Sequence, residues 1–335
     1  MKQYLVASFF AGVGGIDLGV AQTGKFRTVF ANEFDPYPAE TFETNFDLKV
    51  DRRDIRLVQP GDIPEVDGYL FGFPCQAFSV AGYRLGFNDP KDRGNLFFEV
   101  MRLVHERHPR FLCAENVKNL VGHDNGHTFR VILKAMEAEG YKAKYKVLNS
   151  MEYGNVPQNR ERIYIVAFRN EDDYNNFKFP EPVPLTTKLS DIIDFRNKLP
   201  DKYYYTAGKY KGNVYEKLVE AMDDPDTVYQ WRRRYVRKNK SGVVPTLTAN
   251  MGTGGHNVPL ILTDYGIRKQ TPRECFSVQG FPEDFILPQQ TDSRLYKQAG
   301  NSVCVSVIHR IAENIALALT ANKKTNYIGS IKTML

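Results

Sequence analysis

A chain of 335 residues has room for two domains, or for one large core carrying a substantial insertion. Hydrophobic residues make up 42% and charged residues 25%, close to globular averages, which excludes a disordered, collagen-like or coiled-coil chain. The 45 Lys and Arg exceed the 39 Asp and Glu, a net charge of +6 that suits a polyanionic partner without requiring one. Four cysteines, Cys75, Cys113, Cys275 and Cys304, lie far apart with no Cys-x-x-Cys pair, so the expectation is reduced thiols in a cytoplasm and no metal site. The apolar run from Tyr4 to Val13 lacks a convincing cleavage site, and no uncharged apolar stretch of about 18 residues occurs, so neither a secretory leader nor a membrane span is expected.

In chain order, β-branched or aromatic runs predict strands at 4–10, 27–32, 67–72, 111–114, 143–148 and 163–168. Helical composition covers 95–106, and within 128–139 Phe129, Ile132, Leu133 and Met136 recur at i, i+3, i+4 and i+7. Such alternation predicts an α/β half: a parallel sheet covered by helices. Near Phe179 the composition changes; Pro180, Pro182 and Pro184 open a stretch rich in Tyr, Lys and Arg with poor periodicity, read as a smaller, irregular second domain. Between 303 and 319 a stripe of Cys304, Ile308, Ile311, Ile315 and Leu319 predicts a helix packing back on the first domain. The expected limits are 1–182 completed by 300–320, 183–271 for the second domain, 272–299 as connection and 321–335 as a loose tail.

The first candidate site is the turn Phe10-Ala11-Gly12-Val13-Gly14-Gly15. Glycines let the backbone approach a ligand closely, and an acidic residue ending the next strand can bind ribose hydroxyls, a place filled by Glu33. Asp54-Ile55 is expected at the end of a third strand. The spacing departs from G-x-G-x-x-G, so a nucleoside cofactor fits but its identity stays open, beside the plainer reading of a tight turn without ligand. The second candidate is Pro74-Cys75-Gln76, directly after the strand at 67–72. A lone cysteine is usually a small buried hydrophobe. Its neighbours alter that reading: Glu115-Asn116-Val117 brings a carboxyl to the same sheet edge, and Gln158-Asn159-Arg160-Glu161-Arg162 brings a pair of arginines to the start of another strand.

These segments, followed by Arg273-Glu274-Cys275 and Gly300-Asn301-Ser302-Val303, stand in the same order as the motifs of the DNA (cytosine-5) methyltransferases. The chain resembles a bacterial modification methyltransferase over residues 4–182 and 268–318. The resemblance implies a Rossmann-like α/β domain dependent on S-adenosyl-L-methionine, with a smaller target-recognition domain. It implies Phe10 against the adenine, Gly12, Gly14 and Gly15 at the methionine end, Glu33 on the ribose and Asp54 and Ile55 at the adenine edge. Phe34 stands where relatives often carry Trp, giving less stacking area; Pro74, Leu96, Asn301 and Val303 complete the pocket.

Elementary chemistry agrees with that implication. Cytosine C5 is a poor nucleophile until a thiolate adds at C6, a role implied for Cys75. Glu115 is then expected as proton donor at N3 and Arg162 as the cation near O2, with Arg160 holding the loop and nearby phosphate or thiolate. Because the target carbon is hidden in duplex DNA, the base must be flipped out, with 76–95 as the closing loop and Gln76 or Ser79 near the vacated position. The basic run 231–240 suits phosphate contacts and guanine reading by Arg232, Arg233, Arg234 and Arg237, beside Thr246; a solvated basic surface is the bland alternative. His123 and His127 lack supporting ligands and read as an ordinary polar loop. By analogy the enzyme is a monomer of the bacterial cytoplasm acting on a short duplex site, with a cognate restriction endonuclease acting separately. Competing readings are an NAD-linked oxidoreductase, which leaves Cys75, Glu115 and the arginines unexplained, an RNA cytosine methyltransferase, and a non-enzymatic DNA-binding module.

Overall fold

The computed structural model describes residues 3–74, 96–210, 212–232, 234–239, 242–253 and 257–332, with side chains as far as 321. The chain divides into two compact units: Met1–Leu148 with Glu161–Glu181 and Val307–Leu335, and Asn149–Arg160 with Pro182–Ser306.

In the first unit the strands are β1 (Tyr4–Phe9), β2 (Phe26–Asn32), β3 (Gly68–Gly72), β4 (Phe111–Val117), β5 (Lys142–Asn149) and β7 (Glu161–Phe168); β6 (Gln158–Asn159) belongs to the second unit. The sheet order is β2-β1-β3-β4-β7-β5. Strands β2, β1, β3 and β4 are mutually parallel, but β7 runs antiparallel to β4, pairing Glu115 with Tyr164 and Val117 with Arg162. The all-parallel expectation is therefore corrected: an antiparallel strand joining a parallel sheet is common, and hydrophobic runs alone do not encode direction. The segment expected as a further strand before Asp54 is reduced to one bridge between Asn32 and Asp51, after which Asp54 caps a single helical turn, Ile55–Leu57.

Alternate residues of the strands, Ala7 and Phe9, Tyr69 and Phe71, Leu112 and Ala114, Ile163 and Ile165, point into one buried cluster. Helix α3 (Leu96–Arg107) adds Phe97, Val100, Met101 and Val104, and α4 (His127–Ala138) adds Phe129, Ile132 and Met136. The strand period of two and the helical stripe thus meet in one core. On the opposite face, α1 (Gly15–Ala21) buries Asp17, which accepts hydrogen bonds from Ser8 on β1 and Thr28 on β2. Helix α2 (Pro36–Asn45) is started by Pro36 and by the Asp35 carboxylate, which accepts from the Tyr37 N–H.

The second unit holds a four-stranded sheet, β12-β11-β8-β9, made of β8 (Tyr229–Trp231), β9 (Val236–Lys238), β11 (Leu260–Thr263) and β12 (Gly266–Lys269). Its described neighbours are antiparallel. This small sheet sits within a unit that is otherwise largely turns and loops. The strands are three or four residues long, too short for alternation to stand out among charged residues. Helix α6 (Val214–Ala221) covers this sheet, with Leu218 packed among Tyr205, Tyr229, Trp231, Leu260 and Ile267.

Helices α7 (Pro272–Ser277) and α8 (Asp292–Asn301) belong to the same unit. The boundaries drawn from sequence at 271 and 300 therefore differ from the structural one at 306. The reason lies in local bonds: Gln279 donates to Ala299 O at 2.6 Å, Val305 N–H donates to Gln279 O, and the Ser306 hydroxyl donates to Gly154 O at 2.7 Å. The terminal helix Val305–Lys332 starts later than the stripe suggested and continues through the segment expected as a loose tail. By length and composition the stretch 292–321 is apolar enough to cross a membrane, but it breaks at 302–304 and 61% of its most apolar window is buried within the protein.

Candidate active site at the C-terminal edge of the sheet

Parallel α/β sheets bind ligands beyond the carboxyl ends of their strands. Four expected site segments follow the ends of four adjacent strands: Phe10 after β1, Glu33 after β2, Pro74 after β3, and Glu115 in the last residues of β4. The fold, rather than sequence proximity, brings them to one edge.

The glycine turn is conformationally demanding. Gly14 has φ 83° at the start of α1, and a Cβ there would lie 2.3 Å from the Phe46 ring. Phe10 itself has φ 51°, a costly backbone for a bulky residue and a frequent mark of a working site. Glu33 fixes the turn: one carboxylate oxygen accepts from Gly12 N–H at 2.9 Å, the other from Asp35 N–H at 2.8 Å. Gly15 opens α1, Phe34 is 68% exposed, Ile55 is buried, and Asp54 accepts from Arg56 N–H at 3.0 Å. Pro74 is exposed and Leu96 is the half-buried first residue of α3. These residues fit a nucleoside with a flexible tail: a glycine turn, an anchored carboxylate with further lone pairs for hydroxyls, and an exposed aromatic face. Asn301 and Val303 lie in the second unit, Asn301 exposed at the end of α8 and Val303 buried.

On the reaction side, β3 and β4 pair in register so that Gly72 stands beside Glu115. A Cβ on Gly72 would sit 3.5 Å from the Glu115 carboxylate. Arg162, at the start of β7, places Nε 3.1 Å from Glu115 Oε1, with both side chains largely buried. Asn116 is buried and donates to Phe73 O at 2.8 Å, tying the end of β4 to the segment entering Cys75. The sequence displayed Asn116 within its motif but gave no sign of this bond.

Cys75, Gln76, Ser79 and Arg233 lie outside the described residues. The described cysteines are free and buried; burial pushes the Cys113 thiol up to about 12 and that of Cys275 well above its ordinary value, the opposite of an activated thiolate. Among the described residues no cluster of three or more His, Cys, Asp or Glu could hold a metal ion, and His123 is engaged by the Thr128 hydroxyl at 2.7 Å.

Arg160 stands apart from Arg162 by belonging to the second unit. It is 1% exposed, and its guanidinium donates to Leu247 O at 2.7 Å, to Gly300 O at 3.3 Å and to Ser302 O. Strand β10 (Val244–Pro245) pairs with β6, and the Thr246 hydroxyl donates to Asn159 O at 2.7 Å. Gly300 allows the closest approach, since a Cβ there would fall 2.1 Å from the Thr248 carbonyl carbon. Farther along, Trp231 is a core residue, whereas Arg232, Arg234 and Arg237 are exposed on the β8–β9 hairpin. Lys238 is not a free cation: Asp223 at 3.0 Å and Asp224 at 3.1 Å pair with it. The acids that balance the run precede it in sequence and escape a local charge count.

The fold is that of an α/β protein with a glycine turn at one strand end and a paired carboxylate and arginine beside another, the strand that leads into Cys75. Residues 4–317 match the C-5 cytosine-specific DNA methylase family. The chain is 60% identical over 310 residues to the Type II methyltransferase M.Bsp6I of Bacillus sp. (strain RFL6), covering 92% of this chain and 98% of that protein. It is 39% identical over 324 residues to the Type II methyltransferase M.HhaI of Haemophilus parahaemolyticus, with 92% and 93% covered. Among solved structures, Spodoptera frugiperda DNMT2 superposes with a TM-score of 0.71 at 19% identity over 93% of this chain and 99% of that one. A putative DNA modification methyltransferase from an E. coli prophage gives 0.68 at 23% identity, over 95% and 100%; both likenesses concern the fold. The chain belongs to the C-5 cytosine-specific DNA methylase family and is a DNA (cytosine-5) methyltransferase.

Proposed function

We propose that the chain methylates C5 of one cytosine in a short, specific duplex DNA sequence, using S-adenosyl-L-methionine and a covalent bond between Cys75 and cytosine C6. The observation that carries this reading is the Glu115–Arg162 pair beside Gly72, on the strand that leads into Cys75. The Cys75 thiolate adds to C6, and the electron pair moves toward C5. Arg162 meets the negative charge developing near O2 while Glu115 holds the proton at N3. Phe10, Glu33, Phe34, Asp54, Ile55, Pro74 and Leu96 would hold the adenosine portion, with Gly12, Gly14 and Gly15 at the methionine end; Asn301 and Val303 are carried over as cofactor residues by the resemblance alone. The bound S-adenosyl-L-methionine supplies the electrophilic methyl group. Departure of the C5 proton then expels the thiolate and restores the ring.

Flipping of the cytosine is required by the burial of its reacting edge in the duplex stack, with Gln76 and Ser79 near the vacated place. Sequence reading belongs to 183–271: Arg232, Arg234 and Arg237, with Arg233, supply guanine or phosphate contacts, and Thr246 is a further DNA contact implied by the resemblance. The Type II names of the relatives support a modification enzyme; a separately acting endonuclease, a monomeric state and the bacterial cytoplasm are part of the same proposal, by analogy. Radiolabelled methyl transfer to duplex DNA, compared with RNA, tests the reaction, and sequencing of methylated plasmid gives the target. Incorporation into RNA alone, or a labelled base other than cytosine, would overturn the reading.

A further inference from the structure

Cofactor contacts after β1, after β2 and after residue 53 come from three separate segments of the first unit. A single buried residue bonds to the other two segments from the end of β2, one through its side chain and one through its main chain. Asn32, the last residue of β2, is 2% exposed. Its amide nitrogen donates to Asp51 O at 2.9 Å and to Arg53 O at 2.8 Å, so both N–H groups are committed to the strip that ends in Asp54. Its main-chain carbonyl accepts from Ala11 N–H at 3.1 Å, inside the glycine turn. The next residue, Glu33, donates its N–H to Asp51 O at 3.1 Å and grips Gly12 through its carboxylate.

The strip itself has little other support from regular structure. Its pairing with β2 is one isolated bridge, Asn32 to Asp51, with Asp51 N–H donating to Ala31 O at 2.8 Å; Arg102 donates to Ile55 O at 3.2 Å beyond it, and its side-chain ion pairs, Arg53 with Asp51 and Asp62 and Arg52 with Glu43, rest on half-exposed arginines. Exposed pairs contribute little to holding a geometry. A buried primary amide aimed at two carbonyls is a stronger fixture, because removing it leaves both acceptors unsatisfied.

We infer that Asn32 is a positioning residue for the cofactor: it sets the distance between the ribose carboxylate Glu33 and the adenine-edge pair Asp54 and Ile55 without touching the ligand. The inference rests on the cofactor reading above. Aspartate at position 32 has the same shape but directs an oxygen at two carbonyl oxygens, so the strip is pushed away while the apolar core is left alone. Serine retains one donor.

The test is calorimetric binding of S-adenosylhomocysteine to the full chain without DNA. Asn32→Asp is expected to weaken binding ~10- to 100-fold and Asn32→Ser by less. A cycle with Asp54→Ala identifies the route. If Asn32 acts through the strip, Asn32→Ser adds little further loss once Asp54 is alanine, whereas a general loss of structure adds in full. Additive losses, or wild-type affinity in Asn32→Ser and Asn32→Asp alike, would overturn the inference while leaving the cofactor site in place. Should Asn32→Asp fail to fold, the serine cycle decides alone. A wild-type chain that binds no S-adenosylhomocysteine would overturn the cofactor reading and this inference with it.

Discussion

Arg162 in the first unit and Arg160 in the second are separated by one residue in sequence and by their whole chemical employment. Arg162 pairs with a side chain, Glu115, at the edge where the chemistry is proposed, and also donates to the main chain of its own neighbour, Glu161 O at 2.9 Å. Arg160 is committed to main chain, drawing the carbonyls of Leu247, Gly300 and Ser302 around one buried cation. The same contrast runs through the two units. In the first, the central strands, buried along most of their length, bring the proposed reactive groups to a common edge. In the second, short strands carry exposed arginines on a hairpin, and the buried polar bonds maintain backbone positions. On the proposed reading, chemistry is set by where buried strands end, and recognition by what a small sheet holds outward.

The largest expected effect lies on the catalytic edge. Cys75→Ala should lower methyl transfer by ~10³-fold or more while cofactor and DNA binding persist, since the lost sulfur is small and the chemistry depends on it. Duplex DNA carrying 5-fluorocytosine should trap a denaturation-resistant adduct that needs S-adenosyl-L-methionine and disappears in this variant. An adduct mapped to Cys113, Cys275 or Cys304 would break the assignment. Glu115→Gln keeps the shape and removes the acid, and turnover should fall by ~10²-fold. Unchanged single-turnover rates would leave Glu115 only the structural role of partner to Arg162.

Next in size is the arginine pair itself. Arg162→Lys should reduce kcat by ~10- to 100-fold with a small change in melting midpoint, because the point charge remains but the fixed guanidinium geometry is lost. Arg160→Lys should instead lower the melting midpoint, by the equivalent of about 3 kcal/mol, as buried carbonyls lose their donors. Parallel measurement of kcat and melting for the two variants would sharpen the contrast. Identical profiles would erase it.

What the sequence discloses follows this division. The strands of the first unit are legible because each is a continuous apolar run, and the order of motifs identifies the groups that follow them. Direction is not legible: nothing in Ile163 to Phe168 announces that β7 is antiparallel. Nor is the employment of a polar residue once folded. Asn32 looks like any residue before the acidic Glu33, and Asp17 like a helix residue, because their partners lie on other segments and are assembled by the fold. In the second unit, Trp231 opens the basic run 231–240, yet its ring belongs to the core while its neighbours Arg232 and Arg234 face solvent.

Smaller and selective effects are expected on that hairpin. Alanine at Arg232, Arg234 or Arg237 should sort the three: loss of a bidentate guanine contact costs ~1–3 kcal/mol at one base pair, whereas loss of a phosphate contact weakens all sequences alike and flattens the salt dependence. Binding assays against a panel of single-base variants of the methylated site would tell these apart. Three substitutions without effect on either affinity or preference would remove the hairpin from the recognition surface.

The last expected effect concerns stability and barely touches turnover. Asp17 is fully buried between the hydroxyls of Ser8 and Thr28, and burial pushes its carboxyl from 3.8 up to about 6, the two hydrogen bonds opposing that rise. A carboxyl with a folded value above its unfolded one holds its proton more tightly in the native state. Its contribution therefore favours folding below about pH 4 and is lost as pH rises toward 6, leaving a constant penalty of roughly 2–3 kcal/mol above that. Asp17→Asn keeps the shape and can bond to both hydroxyls, which rotate to donate to its oxygen and accept from its amide. Compared with wild type, the variant should melt at a higher temperature at pH 7 to 8, with the difference shrinking as pH falls toward 4. If wild type and Asp17→Asn keep a constant separation across that range, the carboxyl does not titrate there, and the buried proton beneath the glycine turn has no part in the pH dependence of the fold.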